Sequence, residues 1–397
     1  MSLVLQRTMG QTARRGWHPG LTPRAMSSSR STSPYRHPRG ASTGGNVVNP
    51  KGHGARFAES DIWDQVSRTH NGSMEGLPRS QAPTSTRSVP TAPGAYQRTE
   101  STFRDWIRKD GSTPFAPEAH RYHLYLARAC PWSHRVAITR ELRGLTDVIS
   151  ASWAAPYRDE RGWAFPGGNH RDNVNGFAFL ADAYDACSPT ETTRPTLPVL
   201  WDTQTATIVN NESGEIMRML AMEFAAPDGR PSPDLYPDAL RPEIDRLNAW
   251  AYDTIQNGVY GCGFAKTQDA YDASFDSLFD ALSELDALLA ERRYLAGDAL
   301  TEADWRLFPT LVRFDAVYHT HFRCNGRRLT DHPHSWAYAR ELFQVPGIAD
   351  TVDFDEIKTH YYTTHADLNP RRIVARGPID ADWTLPHDRG TSPSREP

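Results

Sequence analysis

Apolar and polar positions recur with the periods of regular structure between about residue 98 and residue 376, and lose that regularity outside it. The patterned span opens with the amphipathic FRDWIRKD (103–110). RYHLYLA (121–127) follows, whose alternation predicts a half-buried strand. VAITRELRGL (136–145) then spaces Val136, Ala137, Ile138 and Leu142 for a helix, and Pro131 suits its first position, where a missing N–H costs nothing. This strand, turn and helix put Cys130 at the helix N-terminus. DVISASWA (147–154) predicts a second strand, and residues 157–194 an irregular segment rich in Gly, Asn and Asp. TLPVLWD (196–202) and ATIVN (206–210) predict two strands around a turn, with a helix from Glu212 onward. Past Pro242 only helical periods remain: 243–260, then 274–293 with Phe275, Leu278, Phe279, Leu282, Leu285 and Leu289 on one face, then 304–318. Thr301 followed three residues later by Asp304 predicts a capping box at the last of these. The fold class is therefore a mixed α/β domain followed by an all-α domain.

Composition changes the picture at the ends. Residues 1–58 hold eight arginines and one lysine and no Asp or Glu, so the overall charge of −4 divides into +9 there and −13 (35 basic against 48 acidic) for the remainder. Without apolar periodicity such a stretch cannot offset its chain entropy, and we expect residues 1–97 and 379–397 to be disordered. Its Arg- and Ser-rich, acid-free composition also suits an organelle-targeting segment. No apolar run approaches the ~18 residues of a membrane span, and a pI near 6.4 gives no general attraction to nucleic acid, so neither a membrane nor a nucleic-acid partner is expected. Four cysteines without a Cys-x-x-Cys pair suit a reducing, cytoplasmic setting rather than a disulfide framework.

The chemistry converges on Cys130. A helix N-terminus and a neighbouring cation such as Arg135 favour the reactive thiolate form of a cysteine. Ser133 stands where a dithiol oxidoreductase carries its resolving cysteine, so the site is monothiol, and a small thiol from solution must resolve its mixed disulfide. Leu197-Pro198 before a strand suits a cis proline whose neighbouring backbone pairs with a cysteinyl ligand. Glu212 and Ser213 at a helix start suit the ammonium and carboxylate of an amino-acid head group. Cys187, in the irregular segment, and Cys262 and Cys324 lack this context and are expected to be structural. His134 is assigned to packing, and the fifteen histidines show no spacing for a metal.

The segments RYHLYLARACPWSHR, GWAF, TLPVLWD with TIVNNES, YDTIQNGVYGCGFAKTQDAY, FDAVYHTHFRCN, and IKTHYY through LNPRRIVARGP resemble the glutathionyl-hydroquinone reductases, the Xi class of glutathione transferases. The resemblance implies a thioredoxin-like domain over 98–225, an all-helical substrate domain over 226–378, and a homodimer. It implies glutathione as cosubstrate and a glutathionylated hydroquinone as substrate, with Cys130 as the nucleophile. Trp163, Arg194, Leu197, Pro198, Glu212 and Ser213 would hold glutathione, and Tyr252, Tyr260 and Tyr318 would line the hydroquinone pocket. Arg194-Pro195-Thr196-Leu197 departs from the family in its Pro and Leu, which leaves contacts through the Leu197 backbone intact. Two rivals remain: an Omega-like dehydroascorbate or disulfide reductase, which shares the monothiol chemistry, and a non-catalytic protein of the same fold that binds glutathione.

Overall fold

The computed structural model describes residues 93–187, 194–225 and 232–390. The expected disordered extension falls outside them up to residue 92, but Pro93 to Gln97 belong to the fold. Lys266 N–H donates to Gly94 C=O at 3.0 Å, and Tyr96 stacks on Tyr260.

A four-stranded sheet runs in the order β2-β1-β3-β4. Its strands are β1 (Tyr122–Leu126), β2 (Ser150–Trp153), β3 (Val199–Asp202) and β4 (Thr207–Asn210). β1 pairs parallel with β2 through the crossover helix α1 (Pro131–Leu142), and antiparallel with β3, which pairs antiparallel with β4. Alternation along β1 sends Tyr122, Leu124 and Leu126 into the main core and Tyr125 into a second cluster on the other face. Both faces are covered, so the strand expected to be half-buried is buried throughout. Its polar ends are paired: Arg121 donates through Nε and Nη2 to the buried Asp202 at 2.9 and 2.7 Å.

Two segments depart from the sequence pattern. FRDWIRKD forms an extended arm with an isolated bridge from Arg104 to Asn210, its alternation burying Ile107 while Arg104 and Arg108 reach Glu215 and Glu223. The irregular segment contains the short helix α2 (Leu180–Cys187), so Cys187 ends a helix instead of lying in a loop. Its Sγ accepts from Ile208 N–H at 3.1 Å, a tie to the edge strand β4.

The helix after β4 is α3 (Ser213–Met222), which packs on α1 over the main core. The helical part comprises α4 (Arg241–Ala251), α5 (Gly258–Phe264), α6 (Gln268–Glu291), α7 (Glu302–Arg313), α8 (Pro333–Phe343) and α9 (Phe354–Thr364). Thr301 and Asp304 form the capping box at α7. Between α4 and α5, and again directly after α7, the chain makes π-helical turns at Tyr252–Gln256 and Phe314–Tyr318. One apolar cluster continues from the sheet into these helices.

The tail expected to be disordered from residue 379 is ordered through Gly390. Trp383 packs against Trp336 and Phe343, with ring centroids 4.7 and 5.4 Å apart, and Arg389 pairs with Glu341 at 2.8 Å. Spaced singly in a polar stretch, these two anchors form no periodic pattern. Among the described residues no helix is long and apolar enough to cross a membrane.

Candidate active site

Cys130 is the N-cap of α1, with extended backbone angles and no side-chain cap, and Pro131 occupies the first helical position. Its carbonyl accepts from His134 N–H at 2.9 Å, which starts the helix, while its thiol stays at the positive end of the dipole. The residue is only 8% exposed, and it opens onto a cavity of about 900 Å³. The Leu197-Pro198 bond is cis, and Leu197 C=O lies 3.8 Å from the Cys130 Sγ.

The loop before Cys130 is held from the helical part. Arg313, fully buried at the end of α7, donates to Arg128 C=O at 2.7 Å and Ala129 C=O at 3.1 Å, and lies 3.0 Å from His134 Nδ1. The other ring nitrogen of His134 meets Thr351 Oγ1 at 2.8 Å, so this side chain packs and orients without facing the thiol. Burial, then the charge of Arg313, hold its imidazole neutral, well below the ordinary histidine range.

Arg135 turns away from Cys130. It donates through Nε and Nη2 to Ser213 Oγ at 3.0 and 2.6 Å, and burial, then repulsion from Arg306, lower it to about 10. Arg98, from the N-terminal arm, Arg158 and Arg194 instead line the cavity onto which Cys130 opens. Ser213, accepting from Arg135, keeps its own hydroxyl hydrogen to donate. The N-cap of α3 is Glu212, whose carboxylate accepts from Gly214 N–H at 3.2 Å and Ser101 Oγ at 3.0 Å.

Trp163 forms another wall. His360 stacks on it at 4.7 Å with planes 17° apart, and His360 Nδ1 reaches Pro156 C=O at 2.7 Å, while burial takes its pKa down to about 3. Arg158 sits 5.6 Å from the Trp163 ring centroid, and Arg194 lines the cavity nearby. Across from them, Tyr252 and Tyr260 line the aromatic side, with Trp132 5.7 and 6.4 Å from their centroids. Tyr318, expected on this wall, is fully buried behind it and touches the cavity through Tyr361, whose hydroxyl lies 3.0 Å from that of Tyr318 and 2.7 Å from that of Tyr260. Burial raises all three phenols, so they stay protonated at neutral pH.

Residues 129–223 match the glutathione S-transferase N-terminal domain and residues 268–341 its C-terminal domain. The chain is 47% identical over 287 residues to the glutathionyl-hydroquinone reductase PcpF of Sphingobium chlorophenolicum, covering 72% of this chain and 90% of that one. It is 45% identical over 306 residues to the glutathionyl-hydroquinone reductase YqjG of Escherichia coli K12, covering 75% and 92%. The chain belongs to the glutathionyl-hydroquinone reductases, the Xi class of glutathione transferases. A solved Xi-class structure from Natrialba magadii superimposes with a TM-score of 0.71 at 50% identity, over 74% of this chain and 92% of that one. The structure of YqjG with glutathione bound does so at 0.70 and 45%, over 72% and 96%.

In this Xi-class chain the cavity gathers every site residue expected from the sequence except Tyr318. It also recruits Tyr96, Arg98, Arg158, His360, Tyr361 and His365, which the sequence did not single out. Tyr361 and His360 lie in the IKTHYY segment that carried the resemblance, which is the signal that pointed toward them. Tyr96 and Arg98 carry no local signal, because their role depends on an extended arm crossing a distant helix. Among the described residues no group of three His, Cys, Asp or Glu is placed to hold a metal.

Proposed function

We propose that this chain releases hydroquinones from their S-glutathionyl conjugates through a mixed disulfide on Cys130. The observation that carries the reading is a single thiol between two unlike walls, one polar and cationic (Trp163, Arg194, Arg158, Glu212, Ser213) and one of aromatic rings and phenols. Glutathione carries two carboxylates and an ammonium, which suit the first wall and the free N–H groups at the start of α3. A hydroquinone ring suits the second, where Tyr260 and Tyr361 present protonated hydroxyls.

The steps balance. The Cys130 thiolate attacks the glutathionyl sulfur, an S–S bond forms, the aryl C–S bond breaks, and the ring carbon takes up a proton. The hydroquinone departs, leaving Cys130 joined to glutathione. The thiolate of a second glutathione attacks that disulfide, releasing glutathione disulfide and the Cys130 thiolate. The conjugated ring is reduced by two electrons, supplied by the two thiols. No second protein thiol is required, and all four cysteines are free. His134, the histidine one turn along from Cys130, faces Arg313 and Thr351 and forms no nucleophile–base pair with the thiol. We further infer a homodimer acting in a reducing, cytoplasmic environment, as the family resemblance and the unpaired cysteines suggest.

Cys130→Ser tests the reading. It should abolish release of hydroquinone and the glutathione-sized mass adduct on residue 130, with folding unchanged by circular dichroism. Full activity in that variant would overturn the mechanism and leave a binding protein. Faster turnover of dehydroascorbate than of the aryl conjugate would instead favour the Omega-like alternative.

A further inference from the structure

We propose that Arg98 is a further catalytic residue, donating to the ring oxygen of the departing hydroquinone that becomes negative as the C–S bond breaks. The inference rests on the function proposed above and adds to it a residue from outside the two matched spans, 129–223 and 268–341.

Arg98 lies on the N-terminal arm, whose residues 95–102 line the cavity. Its guanidinium lies against two rings, 4.1 Å from the centroid of Trp132 and 5.4 Å from that of Tyr260. Nε donates to Asn257 Oδ1 at 3.1 Å, which fixes the plane of the group. Among the described residues it has no carboxylate partner and its two terminal nitrogens have no acceptor, although it lines the cavity. Burial opposes its charge, but the ionisable groups of Tyr96, Tyr260, Tyr252 and Cys130 outweigh burial, and its pKa is raised. The result is a permanent cation with unused N–H donors.

Its place among the other cations indicates its use. Arg158 and Arg194 stand at the Trp163 end, and Arg135 is spent on Ser213. Arg98 lies against Trp132 and against Tyr260, the tyrosine that offers the ring a hydroxyl. When the sulfur of Cys130 takes the glutathionyl sulfur, the electron pair of the broken C–S bond passes into the ring. Because the ring carbon has beforehand taken the proton of the neighbouring ring hydroxyl, in the keto form of the conjugate, that pair comes to rest on the hydroxyl's oxygen as a phenolate. An oriented guanidinium in a largely buried site is placed to stabilise such a charge where it develops. The neutral phenols of Tyr260 and Tyr361 can donate hydrogen bonds to the same oxygen, and Arg98 adds the positive charge that they lack.

The test is a series of glutathionyl-hydroquinones whose rings carry methyl, hydrogen or an increasing number of chlorine substituents, which lower the basicity of the departing phenolate. Removing one charge-stabilising donor costs about 100-fold or more. Arg98→Met should therefore lose roughly that in kcat on the unsubstituted and methylated conjugates. The loss should shrink steadily with chlorination, and Arg98→Lys should recover part of it. Exchange of glutathione with the mixed disulfide of glutathione and 2-mercaptoethanol, which releases no phenolate, should lose far less than release from the unsubstituted conjugate in both variants. An equal loss on every conjugate, a loss on the mixed disulfide as large as on the unsubstituted conjugate, or a rise confined to the KM for glutathione would each overturn the assignment. If the wild-type enzyme released no hydroquinone from any conjugate, the proposed function itself would fall, which separates the two failures.

Discussion

At the scale of single residues, the site depends on partners that turn ordinary side chains toward a task. The placement of Cys130 at a helix start on the cavity was legible because it follows from a local pattern, a strand followed by Cys-Pro and a helical period. The phenols were only half legible. Tyr260 faces the cavity, but Tyr318 serves it at one remove, because the hydroxyl between them belongs to Tyr361, 43 positions beyond Tyr318. Tyr361→Phe breaks both contacts and removes a donor at the cavity wall. We expect it to lower hydroquinone release by roughly 100-fold, as loss of a proton donor does, with little change in the KM for glutathione. Tyr318→Phe should cost less, since Tyr260 and Tyr361 stay paired. Steady-state kinetics on one conjugate decides the ranking, and equal losses would place Tyr318 at the substrate.

Elements are shaped by backbone features that periodicity averages away. A helical pattern read at 3.6 residues per turn predicts one helix over 243–260, and the structure inserts a π turn at Tyr252–Gln256 between α4 and α5. The extra residue in that turn rotates α5 relative to α4, so Tyr252 at its start and Tyr260 eight positions later both reach the cavity. The second π turn ends at Tyr318. α5 then presses against the segment behind the phenols: a Cβ added at Gly263 would sit 2.5 Å from Phe322 Cγ. Phe322 in turn packs edge-on against Tyr260 at 5.4 Å. Gly263→Ala should therefore destabilise the fold by about 1–3 kcal/mol through overpacking. Chemical denaturation measures this, and a change under about 0.5 kcal/mol would show that Phe322 moves aside freely. Gly261-Cys262-Gly263 reads locally as a helix-weakening sequence, and only the approach of Phe322 explains the second glycine.

Across the whole molecule, neutral histidines make stability depend on pH. Burial lowers His123 to about 4, His321 to about 4, His360 to about 3 and His365 to about 2. A histidine whose folded pKa lies below its unfolded value of about 6.5 binds more protons when unfolded, so stability is full above that value and falls as pH drops below it. Acidic groups raised by burial, such as Asp315, act in the opposite sense closer to the carboxylate range. The melting temperature should accordingly fall between pH 7 and pH 5, and His123→Leu should make that slope shallower. Parallel curves for the two proteins would contradict the assignment. The tail contributes independently: Arg389→Ala removes the pair with Glu341 and a donor to Arg292 C=O, and should cost about 2 kcal/mol in urea unfolding, since Glu341 keeps Arg293 as a partner.

Arg313 also bears on how freely such a protein can be taken apart. Two sequence-matched domains suggest interchangeable modules, yet the donors that complete the backbone ahead of Cys130 belong to the second of them. A chimaera that joined this first domain to a foreign helical partner would leave the carbonyls of Arg128 and Ala129 without their donor and His134 without its neighbour. The two halves are therefore bound to travel through evolution, or through a designer's hands, as one unit of inheritance.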